Sequence, residues 1–218
     1  AMVTPVDQIE ALAERIAASE YQMNTHAIGD SANVVVLRAY EKALAGKEDR
    51  RWKVEHAQVI APQDFDYFKN GIIPSVQPTH ATSDMYWAGD RLGPDRVKGA
   101  YAFKDLLNQA GMVALGTDFP VEQVSPFLTF YAAVARQDLD RYPEGGYQME
   151  NALTREETLK GMTIWAAYSN FEEDEKGSIE PGKLADFVLL SDDIMTMPIE
   201  EVPNLKAEKV FVGGNEMK

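Results

Sequence analysis

The chain has 218 residues, enough for a full hydrophobic core, and 45% hydrophobic with 26% charged residues is globular composition, not disordered or fibrous. Its 21 basic against 35 acidic side chains leave a net charge of −14, a field that repels a phosphate backbone or an anionic bilayer, and no apolar run nears the ~20 residues that span a membrane, so no nucleic acid and no membrane is expected as a partner. With no cysteine, disulfide scaffolds, zinc fingers and thiol catalysis are excluded, and any metal must be held by histidine and carboxylate.

Ala1-Met2 lacks the basic and apolar segments of a signal peptide; alanine ahead of methionine reads as a cloning remnant and suggests a piece excised from a longer chain. The cytoplasm is the default compartment. Thr4-Pro5 with Asp7 predicts an N-cap, a first-turn proline and a dipole-matched acid, opening a helix to about Ser19. A strand follows over 21–25, a helix capped by Asp30 runs to about Ala45, and a second strand occupies 52–55. Pro62 opens a short helix to about Asn70, and 72–77 forms an apolar strand. Residues 78–99 read as a long irregular loop, in which Met85, Tyr86 and Trp87 either wall an apolar substrate pocket or pack the loop down. A helix over 100–110 stops at Gly111, and a strand follows over 112–116. Ser125-Pro126 starts another helix, and Thr154 with Glu157 forms a capping box for the next. Helices alternating with short apolar strands predict βαβ units around a parallel sheet, an α/β fold.

The tail differs. Gly177, Pro181 and Gly182 mark turns before a strand over 184–190, and a second strand over 209–212 ends in Gly213-Gly214. No helix is expected between them, so residues 176–218 read as a small β layer beside an α/β body over 1–175. Residues 142–151 read as a surface loop, with a mobile flap around Gly145-Gly146 as the alternative, and the acidic run at 172–175 as a solvated turn.

The only three histidines have the most telling placement. His26, His56 and His80 each lie at or just past the end of a predicted strand, and Asp118 does the same one residue beyond Gly116-Thr117. In parallel α/β folds that edge is where sites are built, because the loops there converge on one face. One such histidine alone suggests a buried, hydrogen-bonded ring; three in equivalent positions with an aspartate suggest a metal site. Imidazole and carboxylate together suit a divalent ion such as zinc.

The same residues carry a family resemblance. In order they are His26-Ala27-Ile28-Gly29-Asp30, Val54-Glu55-His56-Ala57-Gln58, and Ser75-Val76-Gln77-Pro78-Thr79-His80 with Asp84. Gly116-Thr117-Asp118-Phe119-Pro120-Val121 and the tail from Lys176-Gly177 to Val188-Leu189 complete the set. This ordered set resembles the second half of the amidohydrolase superfamily, in particular the YtcJ-like metal-dependent hydrolases that include N-substituted formamide deformylase. The resemblance implies the second half of a (β/α)8 TIM barrel plus C-terminal strands of a small β-sandwich. It further implies that His26 and His56 are metal ligands, and that Asp118 both contacts the metal and shuttles the proton of the attacking hydroxide. His80, with Asp84 and Trp87, would face the substrate, although a plain structural role for His80 is equally open. Asp30 or Glu55 would either orient the histidine ligands or serve as a helix cap and a strand-end acid.

The chain also departs from the family. A His-x-His pair and a strand-four lysine or glutamate complete the family's site, yet histidine occurs here only at 26, 56 and 80. Four barrel strands are predicted, and a complete barrel takes about 250 residues. The expected activity is therefore that of a parent enzyme hydrolysing a C–N bond in an amide-like small molecule, with this chain an inactive part of it. The alternative is a catalytically silent half-barrel that forms a homo-oligomer through its open sheet edges.

Overall fold

The computed structural model describes residues 3–217; Ala1-Met2, and with them the reading of a cloning remnant, lie outside the described residues, as does Lys218. The chain divides into two compact units, the first formed by residues 1–76 and 85–114, the second by 77–84 and 115–218. The boundary expected at 175/176 falls inside the second unit.

In the first unit, α1 (Val6–Ala17) buries Ile9, Ala13 and Ala17, a spacing of four that lines one helical face. Pro5 rather than Thr4 occupies its N-cap position, and Asp7 sits in the first turn as expected. Arg50 donates to Ala17 O at 3.1 Å and to Ile16 O at 3.4 Å in the last turn of α1, and to Ser19 O at 2.6 Å just beyond it, a cation at the negative helix end. α1 packs on α2 (Asp30–Leu44), whose buried face is Val36, Leu37, Ala39 and Tyr40.

Strands β1 (Asn24–Ala27), β2 (Lys53–His56) and β3 (Ile73–Val76) pair in parallel, with Asn24 opposite Lys53 and Lys53 opposite Ile73. β4 (Ala114–Leu115) completes the sheet order β1-β2-β3-β4. Tyr40 ties the first two strands together. Its hydroxyl lies 2.7 Å from Thr25 Oγ1, 3.0 Å from Met23 O and 3.1 Å from Lys53 O. Its ring meets the buried Trp52 edge-on at 4.8 Å.

The connection from β2 to β3 holds the expected short helix, a 3₁₀ segment over Pro62–Asn70 that ends at Gly71 in the left-handed region. The stretch after β3 corrects the sequence reading. Residues 78–99 are not an irregular loop but mostly helix, α3 (Pro78–Arg96), interrupted at Gly93 (φ 78°) ahead of Pro94. Pro78 favours a helical start because its φ is preset and its missing N–H is not needed there. The consecutive Met85-Tyr86-Trp87 hide the helical period: Thr79, Ala81, Thr82 and Ala88 are buried, while Tyr86 and Trp87 are exposed. Gly99 is required by a close approach. Ile60 N–H donates to Gly99 O at 2.8 Å, and a Cβ on Gly99 would stand 1.9 Å from Ile60 O. α4 (Phe103–Ala110) starts three residues later than predicted and ends, as predicted, at Gly111.

The second unit is built on α5 (Pro126–Ala135), which buries Phe130, Tyr131 and Ala135 against Ile194, Met197, Val202 and Leu205. The Thr154–Glu157 capping box is present at the start of α6 (Arg155–Met162), and α7 (Ile164–Ser169) follows. Arg155 donates to Ile194 O and to Met197 O, tying α6 to the tail. Residues 142–151 are anchored: Tyr147 N–H donates to Arg136 O at 2.7 Å, and Gln137 Nε2 donates to Pro143 O at 2.9 Å. The tail forms an antiparallel sheet of β5 (Phe187–Leu190), β6 (Ala207–Val212) and β7 (Asn215–Met217), with Phe187 stacked on Phe211 at 4.5 Å. β5 is shorter than predicted, and a 3₁₀ helix over Ile199–Asn204, not anticipated, lies between β5 and β6. Val202 buries that helix into the core, a tertiary reward that local sequence does not reveal.

Candidate metal centre

His26 and His56 lie within strands, not beyond them. His26 is the third residue of β1 and His56 the last of β2. Thr25 reaches Tyr40 of α2, so Thr25 and Ala27 face the helix and, by alternation, Asn24 and His26 face the opposite side. Val54 pairs with Thr25 and is fully buried on the same helix-facing side. Strict alternation would put His56 there too, away from His26. His56 instead adopts φ 73°, and Ala57 follows at φ 43°. These left-handed residues break the alternation, and the His56 ring lies edge-on to His26 with centroids 4.5 Å apart and planes at 75°. A non-glycine residue in this region costs about 1–3 kcal/mol, and such strain clusters at functional sites. Two imidazoles brought together on adjacent parallel strands are a donor set that fits a borderline divalent ion such as zinc.

The neighbours of this pair have other tasks. Asp30 is not an orienter of either ring. It is the first residue of α2, behind Gly29 at the N-cap position, and accepts from Arg96 Nε at 2.7 Å and Nη2 at 3.1 Å. That guanidinium, above all else, holds the Asp30 carboxyl below the usual carboxylate range. Glu55 stands opposite His26 in the strand register.

In the second unit, His80 occupies the first turn of α3, and its Nε2 lies 3.0 Å from Asp118 Oδ2. Asp118 follows β4 as expected and is itself left-handed, at φ 59°. Its carbonyl accepts Val121 N–H at 2.8 Å and Glu122 N–H at 3.3 Å, a tight turn that returns the chain toward His80. Glu122 Oε1 stands 3.3 Å from His80 Nδ1 and accepts Ser83 Oγ at 2.7 Å. Glu122 and Ser83 were not singled out from sequence; the i, i+3 spacing of His80 and Ser83 was the available signal. Asp84 lies close enough to Tyr147 to act on it electrostatically, while burial is the main cause that raises the Tyr147 hydroxyl above its ordinary value. Trp87 is 48% exposed on α3.

Residues 1–217 match the Amidohydrolase family. The chain belongs to the amidohydrolase family. It is 36% identical over 203 residues to Protein LONG AFTER FAR-RED 3 of Arabidopsis thaliana, covering 91% of this chain and 34% of that protein. It is 33% identical to the putative amidohydrolase YtcJ of Bacillus subtilis, over 88% of this chain and 36% of that protein. To N-substituted formamide deformylase of Arthrobacter pascens it is 26% identical, over 95% and 38%. Among solved structures, an uncharacterized metal-dependent hydrolase from Pyrococcus horikoshii superposes with a TM-score of 0.77 at 29% identity, over 90% of this chain and 39% of that one. The chain thus spans about a third of the length of the curated relatives it matches. The parallel sheet and the separate antiparallel sheet are consistent with part of such an enzyme's barrel and its accessory sheet. Among the described residues, no helix is long and apolar enough to cross a membrane.

Proposed function

We propose that this chain is the C-terminal part of a metal-dependent amidohydrolase that cleaves an amide-like C–N bond in a small molecule. In this reading, residues 1–175 supply the second half of the barrel and residues 176–218 the sandwich strands. The observation that carries it is the His26–His56 pair, assembled by a left-handed residue that leaves the strand's alternation. The likeness to a metal-dependent hydrolase and to a formamide deformylase supports the reaction class.

His26 and His56 would hold the ion, zinc by the chemistry of the donors; that Asp118 would join them in the whole enzyme is what the family resemblance implies. Such an ion would supply Lewis acidity and lower the pKa of a bound water toward neutrality. The Asp118 carboxylate takes the proton of the attacking water and delivers it to the leaving nitrogen, serving as base and then as acid. His80, beside Asp118, polarises the substrate carbonyl or steadies that carboxylate, and Asp84 and Trp87 contribute to the substrate side. The His-x-His pair of the family has no counterpart in these 218 residues, so in this reading the isolated chain is a half-site without turnover.

Elemental analysis of the dialysed chain beside His56→Ala tests the reading. About one zinc per chain, lost in the variant, is the expected result. Equal retention by both proteins would overturn the assignment of His56 as a ligand, whereas no zinc in either would mean that this part holds the ion only together with the rest of the site.

One observation favours the second reading, a silent scaffold that self-associates. β1 is an end strand, and an open groove of about 860 Å³ runs beside it, walled by Ile9, Leu12, Ile16, Met23 and Ile28. An edge strand beside apolar surface is a template for a further strand. Light scattering decides: a mass of 24.3 kDa at micromolar concentration would exclude self-association.

A further inference from the structure

We propose that Glu122 is a positioning residue whose carboxylate, steadied by Ser83, fixes the ring of His80 so that Nε2 and not carbon faces Asp118. The inference rests on the reading of Asp118 as the proton-handling carboxylate, and it adds a residue that this role requires.

An imidazole can rotate by half a turn about its bond to Cβ, exchanging Nδ1 with Cδ2 and Nε2 with Cε1. Only one of the two settings puts a nitrogen beside Asp118. Nε2 lies 3.0 Å from Asp118 Oδ2, while on the far side of the ring Nδ1 lies 3.3 Å from Glu122 Oε1. A carboxylate oxygen accepts and a ring carbon cannot satisfy it, so a half-turn of His80 would forfeit both contacts together. The anchor is itself held. Ser83 Oγ donates to the same Glu122 Oε1 at 2.7 Å, and the Glu122 N–H is turned back onto Asp118 O at 3.3 Å. The His80 and Glu122 side chains are 13% and 20% exposed, so water competes only partly for either contact. A ring oriented through its other nitrogen is the usual means by which a second carboxylate sets the chemistry of a histidine. Fixing His80 in turn fixes one oxygen of Asp118, and so the direction from which that carboxylate meets a proton.

With three histidines in the chain, the test is spectroscopic. Long-range ¹H–¹⁵N correlation of ¹⁵N-histidine-labelled protein, assigned with His80→Gln, reports each ring nitrogen. The wild type should show a protected Nδ1 proton on His80. Glu122→Leu should lower that protection roughly tenfold or more, the equivalent of one lost hydrogen bond. Glu122→Gln, whose side-chain oxygen still accepts, should retain it, a rescue that a general loss of packing would not give. Ser83→Ala, which removes only the support of Glu122, should lower it in the same sense and serves if Glu122→Leu does not fold. An unchanged His80 spectrum in Glu122→Leu, or equal losses in the Leu and Gln variants, would overturn the proposal. Failure of the hydrolase reading would appear elsewhere, as zinc content unaffected by His56→Ala, and would leave the His80 spectrum as it is.

Discussion

Tyr40→Phe removes one oxygen from the centre of the first unit and keeps the ring that packs on Trp52. The hydroxyl is fully buried and stands within 3.1 Å of Thr25 Oγ1, Met23 O and Lys53 O. With one hydrogen it donates to one carbonyl at a time and accepts from Thr25, so two hydrogen bonds are lost. At about 1 kcal/mol each, the variant should be destabilised by roughly 2 kcal/mol. For a chain of this size that corresponds to a fall in melting temperature of about 4–8 °C. Urea unfolding followed by tryptophan fluorescence should show a lower midpoint with an unchanged slope, since the surface exposed on unfolding is the same. A pH series adds a second readout. Burial raises the Tyr40 hydroxyl well above the ordinary tyrosine value, so the folded chain binds that proton more tightly than the unfolded chain. The stability this confers is complete below about pH 10 and is lost as pH rises beyond it, so the gap between wild type and variant should narrow above pH 10. A loss under about 0.5 kcal/mol, with a gap that does not change with pH, would refute the claim that this hydroxyl ties β1 to β2.

Asp30→Asn should cost no more than about 1 kcal/mol, because the pair with Arg96 is partly exposed and screened. The Asp30 carboxyl is held below its ordinary range, so its contribution is present above about pH 4 and lost as pH falls further; wild type and variant should converge in acid, and a constant difference from pH 7 to pH 2 would contradict the ion pair. Gly99→Ala should destabilise by about 3 kcal/mol or more, because the new Cβ overlaps Ile60 O and the Ile60–Gly99 hydrogen bond must open; a calorimetric cost under about 1 kcal/mol would mean that the two segments part easily.

Much of the architecture was legible because its causes are local. The α2 helix from Asp30, the Gly111 stop and the Thr154–Glu157 capping box depend on residues within a few positions of one another. The three β1–β3 strands were found within a few residues of their places, since short apolar runs between helices have few alternatives in a parallel sheet. What failed were the places where tertiary contact overrides local pattern. α3 was hidden because Tyr86 and Trp87 are exposed and small alanines and threonines form its buried face. The 3₁₀ helix before β6 exists because Val202 has a core to enter.

The candidate site divides in the same way. By itself the sequence determined which residues can do chemistry here: three histidines and an aspartate, near the ends of successive strands, in a chain with no cysteine. Their spacing followed from the regular βα alternation, which composition and turn residues dictate. Only the tertiary structure decided how they face. Strand alternation predicts that His56 points away from His26, and a left-handed backbone at His56 and Ala57 reverses that. Likewise Glu122 meets His80 only because the turn after Asp118 folds back across 42 positions of sequence. Ring orientation depends on a single dihedral and on contacts distant in the chain, and neither is written in the period of the residues.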